Sequence, residues 1–269
     1  MVKHYHHHYH FSYTTSFKRH FTSIIFVILT LVIIILGLSR IIAPGNITNL
    51  NELSASDLIM ATLSTLFRLS VAYVLALVSA VPLALLVTST PRMEKILLPV
   101  FDIVQSVPVL AFFPIIVLTF IKLNFFDWAA IFILFMAMVW NLVFTMIGGI
   151  KTIPDEITLA AAAFKAVGWK KLWNVTLPSI LPYIVTGSLL AWAQGWNIMI
   201  VAEVLHTYIP RGNVSDDLLG LGSLMVNAIA LGQTSIFLAT LAVVVILIGV
   251  MNFFIWQKLL HLTQRYKFG

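Results

Sequence analysis

The stretch WAAIFILFMAMVWNLVFTMIGGI, from Trp128 to Ile150, contains no charged residue. A helix needs about 20 mostly apolar residues to cross a bilayer, so this run is long enough to span one. It is followed closely by DEITLAAAAFKAVGWKKLWNVTLP, Asp155–Pro178, the longest polar interruption of the chain away from its ends. The rest of the sequence shows the same alternation of long apolar runs and shorter polar segments.

The composition places the whole chain in a membrane. Of its 269 residues, 60% are hydrophobic and only 10% are charged, whereas a soluble domain has about 25% charged residues. The chain contains no cysteine, which excludes disulfides and thiolate chemistry. Its net charge of +6 is typical of cytoplasmic loops that carry lysine and arginine. We therefore predict an integral protein of the lipid bilayer and no nucleic-acid partner.

Six apolar runs predict an all-α, polytopic protein with six transmembrane helices. The third run is predicted to be broken, because it contains Pro99, Pro108 and Pro114 and broken helices are tolerated where they face protein or a cavity. A further apolar run, 218–231, is too short to span and is predicted to be an interfacial or re-entrant helix. The six spans are predicted at residues 21–43, 58–87, 96–121, 128–150, 178–202 and 232–257.

The predicted organisation has four parts. Residues 1–20 form a histidine-rich cytoplasmic tail, and residues 21–57 hold the first span with an outer loop that supplies the N-cap of the next helix from Ser56 or Asp57. Residues 58–260 form the core, including a coupling segment at 151–177, and residues 261–269 form a cytoplasmic tail. Five of the six histidines of this tail lie within residues 4–10 and indicate either a disordered segment or cloning remnant, which we favour, or a metal-binding tract: His4, His6, His7, His8 and His10.

The distribution of basic residues predicts the orientation. With both termini in the cytoplasm, the inner segments hold 12 of the 16 lysines and arginines, as the positive-inside rule expects. The outer side would hold Arg40, Lys122 and Arg211, and Arg68 would lie within a span. The segment Asp155–Pro178 is then cytoplasmic, in a multi-pass protein of the cell (inner or plasma) membrane.

Within Asp155–Pro178, Ile157, Ala161, Phe164, Gly168 and Leu172 recur at three- and four-residue steps. This spacing predicts an amphipathic helix with one apolar or small face. Two interpretations follow: the helix docks onto a soluble partner at the membrane surface, or it lies on lipid with its tryptophans at headgroup depth.

The spacing from Ala160–Ala161 to Val175, Leu177 and Pro178 resembles the "EAA" signature of ABC-importer permeases, E-A-A-x3-G-x9-I-x-L-P. The flanking runs 182–187, Trp196, 201–203 and 220–222 look like the nitrate/sulfonate/taurine-type branch of type I importers, and the resemblance covers about residues 58–260. It implies the type I importer permease fold, two cytoplasmic ATPases, an extracytoplasmic solute-binding protein and a second permease subunit, identical or different. ATP would be hydrolysed by the separate ATPase, and this chain would bind no cofactor.

The chain departs from the signature at two positions. Leu159 replaces the Glu, and Asp155 or Glu156, one helical turn earlier, could supply the lost carboxylate. Lys165 replaces the Gly, which in the family permits a tight turn; Gly168 could shift that turn. The resemblance implies an ATPase-coupling set, in which Ala160 and Ala161 enter a groove of the ATPase and Phe164 and Trp169 are anchors: Asp155, Glu156, Leu159, Ala160, Ala161, Phe164, Lys165, Gly168, Trp169 and Pro178.

Polar side chains in the spans are candidates for the translocation pathway, because buried charge is costly in a membrane and is often functional. Arg68 has a second interpretation, as a structural ion pair or as a side chain that snorkels to the membrane surface. Gln194, Asn197 and Trp196 also have a second interpretation, as residues that form helix–helix hydrogen bonds. The pathway candidates are Arg68, Gln194, Trp196, Asn197 and Glu203.

No phosphate-binding loop or metalloprotease motif is present, so no catalytic or metal-binding residue is predicted. We expect a non-enzymatic permease for a small solute, such as a nitrate-, sulfonate- or taurine-like anion. The alternatives are an ion-coupled secondary transporter, which would need inverted repeats and midplane ionisable residues, and a membrane assembly protein that does not transport.

Overall fold

The computed structural model describes residues 54–123, 125–209, 211–213 and 216–263. The predictions for the histidine-rich tail, the first span and the end of the C-terminal tail lie outside these residues. The described part is helical and contains no strand. Its α-helices are α1 Ala55–Val87, α2 Pro91–Ser106, α3 Phe113–Lys122, α4 Phe126–Lys151, α5 Asp155–Ala163, α6 Trp169–Lys171, α7 Leu177–Ser179, α8 Leu181–Ala202, α9 Leu221–Ala230, α10 Thr234–Met251 and α11 Gln257–Thr263.

Helix α1 begins with a capping box. The Asp57 N–H donates to Ser54 Oγ (3.3 Å), and the Ser54 N–H donates back to Asp57 Oδ2 (3.0 Å). Two donors that a helix start leaves unpaired are satisfied in this way. The predicted N-cap at Ser56 or Asp57 was therefore wrong, because Asp57 acts as the third helical residue of a cap that starts at Ser54.

Helix α4 forms the centre of the bundle and packs against α1 and α8. Four alanines spaced four residues apart form a buried ridge along α1: Ala72, Ala76, Ala80 and Ala84. Side chains at that spacing share one face of a helix, and small ones let neighbouring backbones approach closely. On α8, a Cβ added at Gly187 would collide with the Thr145 side chain of α4. The bundle is thus held together by small residues at its contact faces.

The predicted break in the third span is confirmed. Helix α2 ends at Ser106, a 3-10 turn covers Val109–Phe112, and α3 follows at an angle of 73°. The cause is Pro108, which forces the preceding Val107 into an extended conformation (ψ 124°) that ends the helix. Pro114 lies in the first turn of α3, where its missing N–H costs nothing.

Four helical stretches of the described residues are long and apolar enough to cross a membrane, and the bent pair α2–α3 makes up to five. They correspond to the predicted second to sixth spans. The fourth and sixth are slightly longer than predicted, with the sixth running to Thr263, and the fifth starts at Leu181 instead of Pro178.

The short apolar run after the loop forms α9, Leu221–Ala230. It packs against α1, α8 and α10, and most of its side chains are buried. A helix lying flat on lipid would leave one face uncovered, so this burial favours the re-entrant interpretation over the interfacial one.

Candidate functional site

The segment between α4 and α8 is divided by a turn. Helix α5 follows Pro154, whose extended backbone (φ −60°, ψ 145°) directs the chain into the helix. Asp155 and Glu156 occupy its first turn, where carboxylates interact favourably with the helix dipole. The helix ends at Ala163, so the predicted single amphipathic helix was wrong: its proposed face is interrupted before Gly168 and Leu172.

The turn lies at Lys165, at the place of the signature's glycine. Lys165 adopts a left-handed backbone conformation (φ 53°), and its N–H donates to the Ala162 carbonyl (2.9 Å). The Ala166 N–H donates to the Ala161 carbonyl (2.9 Å), so two carbonyls at the helix end are satisfied. The possibility that Gly168 displaces the turn was wrong. Gly168 makes a second bend instead, with φ 57° and ψ −127°, a combination that is accessible essentially to glycine alone.

After Gly168 the chain is helical again up to Ser179. Helix α6 continues into a π-helical turn, Leu172–Thr176, and then into α7, which contains Pro178. Thr176 and Leu177 are buried, and the rings of Trp169 and Trp173 lie 5.6 Å apart in an edge-to-face arrangement. This stretch anchors the segment to the bundle.

The turn exposes large apolar side chains. Phe164 is 81% exposed and Trp169 is 72% exposed, and Leu159 and Val167 are exposed nearly as much. Sequence reasoning missed Val167, although an apolar residue within a polar segment was the available signal. Burial of these side chains against a partner would remove a large apolar area from water.

The two signature alanines differ in exposure. Ala160 is exposed, whereas Ala161 is only 6% exposed and is covered by its own chain. The expectation that both alanines enter a groove of a partner is therefore corrected for Ala161, because residues of its own chain already cover its side chain.

A buried charge network surrounds Arg68 of α1. Arg68 Nη1 donates to Glu203 Oε1 (2.9 Å) and to the Leu219 carbonyl (3.0 Å), and Arg68 Nε donates to Asp127 Oδ1 (2.8 Å). Arg68 and Glu203 are buried, whereas the Asp127 side chain is 57% exposed. A buried ion pair costs several kcal/mol of desolvation unless it is fully hydrogen-bonded, and here both buried groups, Arg68 and Glu203, have several partners.

Glu203 also caps α9 from outside that helix. Its Oε2 accepts from the Gly222 N–H (2.8 Å), while Thr65 Oγ1 accepts from the Leu221 N–H (2.9 Å) and donates to Glu203 Oε1 (2.8 Å). The first two N–H groups of α9 are thus satisfied by the side chains of Thr65 in α1 and of Glu203, which directly follows α8. The carboxylate lies so close to Gly220 that a Cβ there would collide with it.

A second cluster holds the loop before α9. Asp217 Oδ1 accepts from the backbone N–H groups of Leu205 (2.8 Å) and His206 (2.9 Å), and both carboxylate oxygens lie 2.8 Å from His206 Nδ1. Asn227 Nδ2 donates to Asp217 Oδ2 (3.1 Å). Sequence reasoning missed Thr65 and Asp127 because their partners lie 138 and 59 residues away in the chain. It also missed this cluster, whose residues are only 10 to 12 positions apart but form no recognised motif. Within the described ranges, no group of three or more His, Asp or Glu side chains is placed to hold a metal ion.

The five predicted pathway residues do not line one surface. Arg68 and Glu203 meet in the buried network, and Trp196 is buried in the core beside Trp192. Gln194 is half-buried and Asn197 is exposed, one turn apart on α8. The interpretation of Arg68 as an ion-pair residue matches its contacts, and the pathway role of the set stays a prediction.

Comparison with known proteins assigns the family. The model of the family described as "binding-protein-dependent transport system inner membrane component" matches residues 80–265, which is more than half of the chain. The chain belongs to this family. The matched region contains the coupling segment and Glu203 but begins after Thr65 and Arg68.

Among curated members of the family, the bicarbonate transport system permease protein CmpB of Synechocystis is 31% identical over 148 residues, 55% of this chain and 52% of the relative. The nitrate import permease protein NrtB of Leptolyngbya laminosa is 30% identical over 142 residues, 53% of this chain and 50% of the relative. The taurine transport system permease protein TauC of Escherichia coli is 26% identical over 184 residues, 68% of this chain and 62% of the relative. The matches thus span about half the length of the first two relatives.

Proposed function

We propose that this chain is the membrane-spanning, non-enzymatic permease subunit of an ATP-driven importer. Family membership and the names of its relatives, which are permeases for bicarbonate, nitrate and taurine, support this proposal. The solute would be a small anion or a similar small organic molecule, delivered by an extracytoplasmic solute-binding protein. ATP would be bound and hydrolysed by a separate ATPase dimer.

The observation that carries the proposal is the exposed turn between α5 and α6. Phe164 and Trp169 project large apolar surfaces from a segment that also carries three lysines. By the distribution of basic residues this segment is cytoplasmic, so a cytoplasmic ATPase could reach it. Insertion of these two aromatic side chains into a groove of the ATPase would couple its closure to the bundle.

The route from the turn into the bundle starts at two anchors. Thr176 and Leu177 are buried on one side, and on the other Lys151, at the end of α4, pairs with Glu94 at the start of α2 (2.5 Å). A displacement of the turn would therefore reach both the central helix and the broken span. Of the predicted pathway residues, Gln194 and Asn197 are the two that remain accessible, and we assign solute contact to them.

The assembly would contain two permease subunits, either two copies of this chain or this chain with a related one. Loss of the signature's glycine is by itself no reason to favour two different subunits, since Lys165 retains the left-handed turn. Both termini would face the cytoplasm.

The test is reconstitution of the permease with its ATPase and binding protein in proteoliposomes. We expect ATP-dependent uptake and ATPase activity that is stimulated by loaded binding protein. Phe164→Ala should weaken ATPase association about tenfold or more, as loss of a central aromatic anchor does.

The matched control is Phe253→Ala. Phe253 is a phenylalanine of similar exposure, 72%, but it lies in the last predicted span, so its removal should leave ATPase association unchanged. Uptake driven by an ion gradient without ATP, or equal association of both variants, would contradict the proposal.

A further inference from the structure

The left-handed conformation of Lys165 is unusual for its residue type. Among the described residues only Lys165 and Arg211 have a positive φ without being glycine. A side chain in this region clashes with its own backbone, whereas glycine adopts it freely. The lysine side chain at this position therefore has a conformational cost that glycine would not have.

The Lys165 ammonium forms no ion pair or hydrogen bond with the described residues. The nearest acidic residues in sequence, Asp155 and Glu156, lie at the far end of α5. Helix α5 has nine residues, which makes it roughly 13 Å long, and Lys165 lies beyond its other end. From residue 157 to residue 202 the chain contains no Asp or Glu. Among the residues that the structure describes, the charge of Lys165 thus has no partner.

The surroundings of Lys165 combine positive charge with exposed apolar side chains. Phe164 precedes it directly, and Val167 and Trp169 follow. Lys170 is exposed as well, and Lys171 is partly buried. The surface that covers this turn must accept apolar side chains and must offer negative charge next to them.

We propose that Lys165 determines which ATPase this permease accepts, through an ion pair with a carboxylate at the rim of the groove that receives Phe164 and Trp169. This inference rests on the proposed function. The two bends at Lys165 and Gly168 fix the point from which the lysine side chain leaves the backbone, next to the exposed apolar side chains. A cation that starts from a fixed point favours a partner that carries a carboxylate within its reach, and a mismatched ATPase would leave the charge unpaired.

Anionic lipid is the other surface that could take this charge, but it does not explain the position. Lipid headgroups move freely, so they accept a cation anywhere near the membrane surface. Lys170, which lies in a helix without backbone strain, would serve them equally well. A position that requires a left-handed lysine indicates a partner whose carboxylate is fixed.

The experiment measures the Kd between the cognate ATPase and the full permease in nanodiscs, with and without phosphatidylglycerol. Lys165→Glu should weaken binding about tenfold, because it places like charges together at a partly desolvated rim. Lys165→Gly should weaken binding less and should remove part of its salt dependence. Lys170→Glu is the matched control and should change Kd less than Lys165→Glu.

A compensating change gives the strongest evidence. Charge reversal of one rim carboxylate on the ATPase, Asp→Lys or Glu→Lys, should weaken binding to the wild-type permease and restore it for Lys165→Glu. Lys165→Gly should also raise the thermal unfolding temperature of the permease, since it relieves backbone strain without touching a packed side chain.

The outcomes are distinguishable. Unchanged Kd for Lys165→Glu together with weakened binding of Phe164→Ala overturns the role of Lys165 and leaves the proposed function intact. Unchanged Kd for both overturns the proposed function as well. An effect of Lys165→Glu that appears only in discs with phosphatidylglycerol assigns the charge to lipid and overturns the inference.

Discussion

The buried charge network and the coupling turn lie at opposite ends of α4, and their charges are satisfied in opposite ways. Asp127 lies in the first turn of this 26-residue helix and Lys151 at its last residue, about 36 Å apart. Around Arg68, every charged group is paired within the chain. At the turn, Lys165 and the aromatic side chains beside it are left to the surroundings.

This difference indicates that the network around Arg68 stabilises the fold, whereas the turn at Lys165 is a contact surface. The buried charges of Arg68 and Glu203 fix α1, the end of α8 and the start of α9 in one arrangement, because a displacement would leave a charge unpaired in a dry interior. Lys165 and the exposed aromatic side chains beside it are not covered by the described residues, so a partner can contact them. Substitutions in the network should therefore lower stability, and substitutions at the turn should lower association.

The largest effect is expected at Arg68. Arg68→Leu leaves Glu203 buried without its cation, and we expect a loss of about 3 to 5 kcal/mol in the free energy of unfolding. Thermal unfolding of the detergent-solubilised protein, followed by tryptophan fluorescence, measures it.

The control for Arg68 is the double variant Arg68→Leu/Glu203→Leu, which removes both buried charges. It should recover much of the lost stability, because an apolar pair of similar volume avoids the desolvation cost. A double variant that is less stable than Arg68→Leu would show that the hydrogen bonds of Glu203 to α9 outweigh the pairing.

An intermediate effect is expected at Gly220. A Cβ at this position would collide with the Glu203 carboxylate, so Gly220→Ala should displace the cap of α9 and cost about 2 to 3 kcal/mol. The same unfolding measurement applies. Gly148→Ala is the matched control: Gly148 lies in α4 with no atom within 4 Å of an added Cβ, and we expect it to be neutral or slightly stabilising. Equal destabilisation by both would contradict the close packing of Glu203 on Gly220.

The smallest effect on stability is expected at the turn itself. Gly168→Ala forces a side chain into a backbone region of φ 57° and ψ −127°, and we expect it to cost about 1 to 2 kcal/mol. The free energy of ATPase binding should nevertheless fall by more than the free energy of unfolding, since the bend positions Trp169 for contact with the ATPase. Unfolding temperature and Kd measured on the same preparation separate the two effects. Unchanged association would place Trp169 outside the contact.

The sequence predicted the second to sixth spans, and the break in the third, because their causes are local. Membrane length follows from uninterrupted apolar runs, and the break follows from Pro108 acting on the residue before it. The coupling segment was located for the same reason, through residues at fixed spacing. The turn was harder: a lysine replaces the glycine, and propensity alone favours moving the bend to Gly168, whereas two backbone hydrogen bonds at the end of α5 hold it at Lys165.

Hydrophobicity and charge act on each residue wherever it lies, so the order of residues alone predicts an all-α membrane protein with a charged segment between two spans. The roles of the individual charges depend on the packing of the folded helices. Arg68 meets Asp127 and Glu203 across 59 and 135 residues of sequence, and Ala161 is buried while Ala160 is exposed. Both outcomes depend on how whole helices pack in the bundle, which no local pattern records.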